Sequence, residues 1–145
     1  MEAIILKAYI GIDQVSFATT ETECEKILGA PIRRSKNRKN EIKLVYEKFE
    51  FTFPPDGSKI LEMSFRPNVK LLVNEIDIFN DKMALNKLSK IDSPLEYVGI
   101  LFFPTLGISA AGLHRQDDRV VTAISKGRFD GVLHNFVPYK VSDRV

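Results

Sequence analysis

One cysteine, Cys24, and two histidines are all that this chain offers of the residues most used for metal and redox chemistry. A lone cysteine excludes an intramolecular disulfide and fits a reducing compartment. His114 and His134 stand twenty positions apart with no cysteine near either, which is not the short ligand spacing of a zinc site, so no metal is expected. Long apolar runs are missing too. The longest, Val98 to Phe103, is strand-sized and falls far short of the ~18 residues of a membrane span. Met1 to Ile10 has no basic leader and no small-residue cleavage site after it, so no secretory signal is expected and the cytoplasm is the expected location. A large charge excess is absent. The 21 basic and 19 acidic side chains leave +2, far less than a domain held mainly by phosphates would carry. Neither glycine-rich phosphate-loop pattern occurs, so no nucleotide cofactor is expected.

What remains is an ordinary globular composition, 44% hydrophobic and 28% charged over 145 residues, which implies one domain spanning 1–145 with a core that needs no disulfide or metal. Isoleucine-rich Ala3 to Ile12 reads as a first strand, ended by Gly11 and Asp13. Thr20 and Glu23 form a capping pair for a helix whose apolar stripe is Cys24, Ile27 and Leu28, stopped by Gly29 and Pro31. Arg33 to Asn40 is polar and aperiodic, hence a loop. The period then becomes two: Ile42, Leu44 and Tyr46 share one face, then Phe49, Phe51 and Phe53, with a turn or bulge at Glu47 and Lys48 between the two strands. Pro54 to Gly57 makes another turn, Ile60 to Phe65 another strand, and Val69, Leu71 and Val73 alternate as a further strand or edge segment before Asn74.

A second helix is capped by Asn80 or Asp81, buries Ala84, Leu88 and Ile91, solvates Lys82, Lys87 and Lys90, and is closed by Pro94. Three strand-like runs follow, Leu95 to Phe103, Leu106 to Leu113 and Arg119 to Ser125, with a turn at Gln116, Asp117 and Asp118. Residues 127–145 have aromatics but no period and are expected to be irregular. The fold class is therefore α+β, two helices packed on an antiparallel sheet. A finer expectation is a tandem order of one helix plus about three strands, in halves 1–75 and 76–130.

Each candidate for chemistry has a plainer structural reading. Cys24 lies on the apolar stripe of its helix, where a small buried hydrophobe is expected rather than a nucleophile. Ser109, within Gly107-Ile-Ser-Ala-Ala-Gly112, lacks the Gly-x-Ser-x-Gly spacing of an exposed nucleophile and reads as a strand residue. Asp117 and Asp118 read as turn formers rather than an acid/base pair. The distinctive surface feature is Arg33-Arg34-Ser35-Lys36-Asn37-Arg38-Lys39, five cations in seven residues without an acidic interruption. Solvation alone accounts for such a run. Recognition of an acidic protein face is the functional reading, placed on Arg33, Arg34, Lys36, Arg38 and Lys39. Nucleic acid is the alternative, although the run holds no aromatic on which a base could stack.

The helix ending in Leu28-Gly29-Ala30-Pro31, followed by Tyr46, Phe49 to Phe53 and Lys59 to Phe65 on successive strands, resembles the helix-then-strands unit of the β-lactamase-inhibitor-protein and outer-membrane-assembly lipoprotein folds. The resemblance covers about the first half of the chain, and the chain departs from the lipoproteins in having no lipid-bearing cysteine near its start. More broadly the chain is similar to small bacterial immunity proteins. That class implies a cytosolic, non-enzymatic inhibitor that neutralises a cognate toxin by binding it, through residues particular to one toxin. A nucleic-acid-associated protein and an enzyme with a site assembled from scattered side chains are the alternatives.

Overall fold

A computed structural model describes residues 2–113 and 118–140. In chain order these form β1 (Ala3–Leu6), α1 (Glu21–Leu28), β2 (Arg33–Lys36), β3 (Ile42–Val45), β4 (Glu50–Phe53), β5 (Glu62–Phe65), β6 (Lys70–Val73), β7 (Ile76–Asp77), α2 (Ala84–Ile91), β8 (Leu95–Tyr97), β9 (Ile100–Phe103), β10 (Ile108–Ala111), β11 (Val120–Ile124) and β12 (Val137–Pro138). The architecture is mixed α+β and mostly sheet. Nine strands form one antiparallel sheet in the order β12-β8-β9-β10-β11-β5-β4-β3-β2. The other three form a small sheet, with β1 parallel to β6 and β6 antiparallel to β7.

The small sheet corrects the expectation of one antiparallel sheet. Alternation marks Leu71 and Val73 as buried strand residues, and they are, but it says nothing about which strand lies alongside. The first strand also ends at Leu6, not Ile12, because Lys7, Gly11 and Ser16 fold back on one another in two successive tight bridges.

Each half of the chain supplies four consecutive strands to the large sheet, β2–β5 and β8–β11, where about three were expected. Arg33 to Lys36 is an edge strand rather than loop, since hydrogen bonding to β3 needs no apolar side chain. Leu95 to Phe103 is a hairpin rather than one strand: Val98 and Gly99 sit at φ 44° and 81°, a two-residue turn that Gly99 signalled and the β-branched Val98 masked. The two runs meet at β5–β11, where the Ser64 and Thr122 hydroxyls hydrogen-bond at 3.0 Å.

The inward face of the large sheet is continuous across six strands because its registers align. Leu44 pairs with Phe51, Phe51 with Met63, Met63 with Ala123, Ala123 with Ile108 and Ile108 with Phe103, and all are buried. Leu6, Leu71 and Val73 of the small sheet join the same core.

Thr20 caps α1 as its sequence implies: its hydroxyl accepts from Glu23 N at 3.1 Å and its own N–H donates to the Glu23 carboxylate at 3.0 Å. Cys24 is fully buried and Leu28 packs against the core, but Ile27 is exposed, outside the expected stripe. α2 begins later than expected. Asp81 spends its carboxylate on Met83 N and on Lys87, and Asn80 turns back to Asp77, so neither caps the helix and Met83 occupies that position. Ala84 and Leu88 are buried with Leu85 against the core, which centres the apolar face on Leu88 and leaves Ile91 exposed at its margin.

Residues 127–140 are more ordered than expected. Val137–Pro138 adds β12 to β8, and Phe129 and Phe136 close over Phe102 on the outward face, with ring centroids 5.0 and 5.9 Å away.

Candidate functional site

Arg33, Arg34 and Lys36 lie on β2, at one edge of the large sheet, and Arg38 and Lys39 lie in the turn to β3; all five are exposed. Residues directly opposite in an antiparallel pair share a face. Arg34 and Lys36 oppose the buried Leu44 and Ile42, so they rim the core side, while Arg33 and Ser35 share the outward face with Lys43. Arg34 reaches α1, where its Nε donates to the Glu21 carboxylate at 2.7 Å. Among the described residues Arg33, Lys36, Arg38 and Lys39 form no ion pair, so their charge is directed at solvent.

The turn carrying Arg38 and Lys39 is held from beneath. The Asn37 side-chain oxygen accepts from Lys39 N at 2.9 Å and Glu41 N at 3.0 Å, its amide donates to Glu41 at 2.8 Å, and Asn40 takes φ 61°. Glu41 is buried and grips Arg128, beyond β11, through two bonds of 2.6 and 3.0 Å. The same guanidinium donates to Glu62 on β5 at 2.8 Å. The Arg128 bonds, outweighing the cost of burial, hold the Glu41 carboxyl at about 2, well below the ordinary range. This support was invisible in the sequence. Arg128 and Glu41 are 87 positions apart and no local pattern links them.

Two further cationic positions, Arg66 and Arg119, are engaged by neighbouring groups. Two shallow depressions of about 410 and 570 Å³ share Arg66 and Pro67 at the far end of β3–β5. There Arg66 pairs with Glu50 at 2.9 Å, and Arg119 donates to the Phe79 carbonyl at 2.7 Å while lying over its ring.

The described residues weighed for catalysis lie on separate elements. Cys24 is buried and burial pushes its thiol up to about 11; Tyr46 lies beside it, its hydroxyl also raised by burial and donating to the Gly29 carbonyl at 2.9 Å. Tyr46 thereby ties β3 to the α1 stop. Ser109 is a buried residue of β10, opposite Thr122 and Phe102, as expected. His134 is exposed in a 3-10 turn, Leu133–Asn135. Asp118 is exposed at φ 41°, while His114, Gln116 and Asp117 lie outside the described residues. Among the described residues no group of three His, Cys, Asp or Glu side chains is placed to hold a metal, and no helix is long and apolar enough to cross a membrane.

The state of Cys24 is directly testable. Raising a thiol from 9.0 to about 11 leaves roughly 100-fold less thiolate at pH 8, so native protein should react with iodoacetamide at least that much more slowly than protein in guanidinium. Equal rates would show that the helix does not protect it.

Compared with family models, curated proteins and solved structures, the chain matches none of them.

Proposed function

We propose that this protein is a non-enzymatic binding module, an immunity-type inhibitor that neutralises a cognate bacterial toxin by covering its active or substrate-binding surface. The observation that carries the proposal is the edge strand β2 with its turn: four cations without an ion pair among the described residues, on a backbone fixed by β3, Asn37 and the Glu41–Arg128 bond. A solvated charged loop needs no such support. Charge held in one place lowers the ordering cost of association and steers an acidic partner toward it. The same reading treats the two four-strand runs, each preceded by a helix with buried residues at Cys24 or at Ala84 and Leu88, as a tandem repeat with its helices on the core side.

The test is a toxicity assay with the proteins encoded beside this gene. Co-expression should restore growth, and the purified pair should associate measurably in calorimetry. Reversing four charges, Arg33→Glu, Lys36→Glu, Arg38→Glu and Lys39→Glu, should slow association about 10- to 100-fold at low salt. If each neighbouring protein stays fully toxic and unbound, the proposal fails. If instead the wild-type protein shifts RNA or DNA in a gel at low salt and the reversal abolishes that shift, the cations serve nucleic acid.

A further inference from the structure

The large sheet has two edges, and they differ. One is β12, two residues long and carrying Pro138, which has no backbone donor to give. The other is β2, four residues without proline. In an antiparallel pair, bonded and non-bonded residue pairs alternate. Asn37 N donates to Glu41 O at the turn, so by alternation Ser35 and Arg33 also point their backbone groups at β3. Arg34 and Lys36 therefore present N–H and C=O outward, two residues apart, the spacing at which a further strand would bond. Ile32, immediately before β2, is 74% exposed.

We propose that β2 is a strand-addition site, where an extended acidic segment of the partner protein pairs as a tenth strand with the outward backbone groups of Arg34 and Lys36. This rests on the protein-binding reading above and adds to it the partner's local chemistry. The backbone supplies the bonds and the side chains select the sequence. Carboxylates on one face of the incoming strand meet Arg33, and on the other Lys36, with Arg38 and Lys39 at the turn; an apolar side chain covers Ile32. Cations on an edge strand also repel a second copy of the same edge, so the charge pattern selects against self-pairing while favouring an acidic strand. A neutral or basic segment would leave these charges unanswered.

The probe is an eight-residue peptide of glutamate pairs alternating with valine pairs, which puts carboxylates and valines on both faces of an extended strand, titrated into the ¹⁵N-labelled full chain. The expected result is slowed amide exchange and shifted resonances at Arg34 and Lys36, and loss of binding when alternate amides of the peptide are N-methylated. Two variants separate backbone from charge. Lys36→Ala removes the cation and keeps the outward N–H, whereas Lys36→Pro removes both and leaves the β2–β3 bonds in place. The proline variant should bind at least 10-fold more weakly than the alanine variant, with circular dichroism confirming that both are folded. The N-methylated peptide gives the same answer without any variant. Equal binding of methylated and unmethylated peptides, or of a single-stranded oligonucleotide of equal charge, would overturn strand addition. Toxin neutralisation persisting alongside that result would leave the inhibitor reading standing, because the two are measured separately.

Discussion

Replacing Gly11 with alanine is expected to lower the melting temperature by about 10 °C, from a loss of about 4 kcal/mol that combines backbone strain with overpacking. Gly11 sits at φ 136°, which L side chains rarely adopt, and an added Cβ would lie 2.5 Å from the Val15 carbonyl oxygen and 2.8 Å from the Ser16 Cα. These are backbone atoms in a folded-back segment. Lys7 and Gly11 exchange bonds of 2.9 and 3.1 Å, Ile12 N donates to Val15 O, and Phe17 N donates to Ile10 O, so no flexible side chain can give way. Ile12, Val15 and Phe17 fix the segment in the core. Gly29→Ala is the control. Gly29 also has positive φ, 85°, with ψ −172°, but an added Cβ meets nothing within 4 Å, so only backbone strain of about 2 kcal/mol is expected. Thermal denaturation of both variants decides the matter; equal shifts would mean that the contacts around Gly11 do not limit the fold.

Arg128→Ala should cost about 3 kcal/mol at neutral pH, because it leaves the buried Glu41 carboxylate facing Glu62 without its cation. The acid dependence of this cost follows from Glu41. Its folded carboxyl titrates at about 2 against an ordinary 4.5, so the folded state holds the charged form more strongly than the unfolded state does. A depressed carboxyl stabilises fully above its unfolded pKa and loses that contribution as the pH falls through the folded one. The gap between wild type and Arg128→Ala in urea denaturation should therefore be widest above pH 5 and shrink between about 4.5 and 2. Glu41→Gln should remove most of the same acid dependence. A gap independent of pH would show that Arg128 contributes by packing rather than charge. On the binding reading proposed above, both variants should also weaken partner binding, because the Glu41 carboxylate accepts from Asn37 in the turn bearing Arg38 and Lys39.

Much of the fold could be read from local pattern, and the residues show why. Thr20 with Glu23 is a complete cap within four positions, and Phe51, Phe53, Met63 and Phe65 declare a buried face by alternation alone. Arg33 to Lys36 could not be read that way. An edge strand exposed on both faces has no alternation to show, and its extended shape comes from bonds to β3. Ile27 and Ile91 mark the opposite failure: apolar periodicity placed them inside, but the position of each helix against its neighbours left them in solvent.

Composition and pattern determined that this is a single α+β chain with a largely antiparallel core, a buried Cys24 and one concentrated basic segment. That much is local, since it depends on side-chain type, turn chemistry and period. The tertiary structure alone decided that β1 joins β6 in a separate parallel pair, that the basic segment is the open edge of nine strands, and that Arg128 reaches across the chain to fix its turn. Strand partnership and charge pairing between distant positions are settled by which arrangement satisfies all backbone bonds and buried charges together, a condition on the whole molecule that no short window of sequence contains.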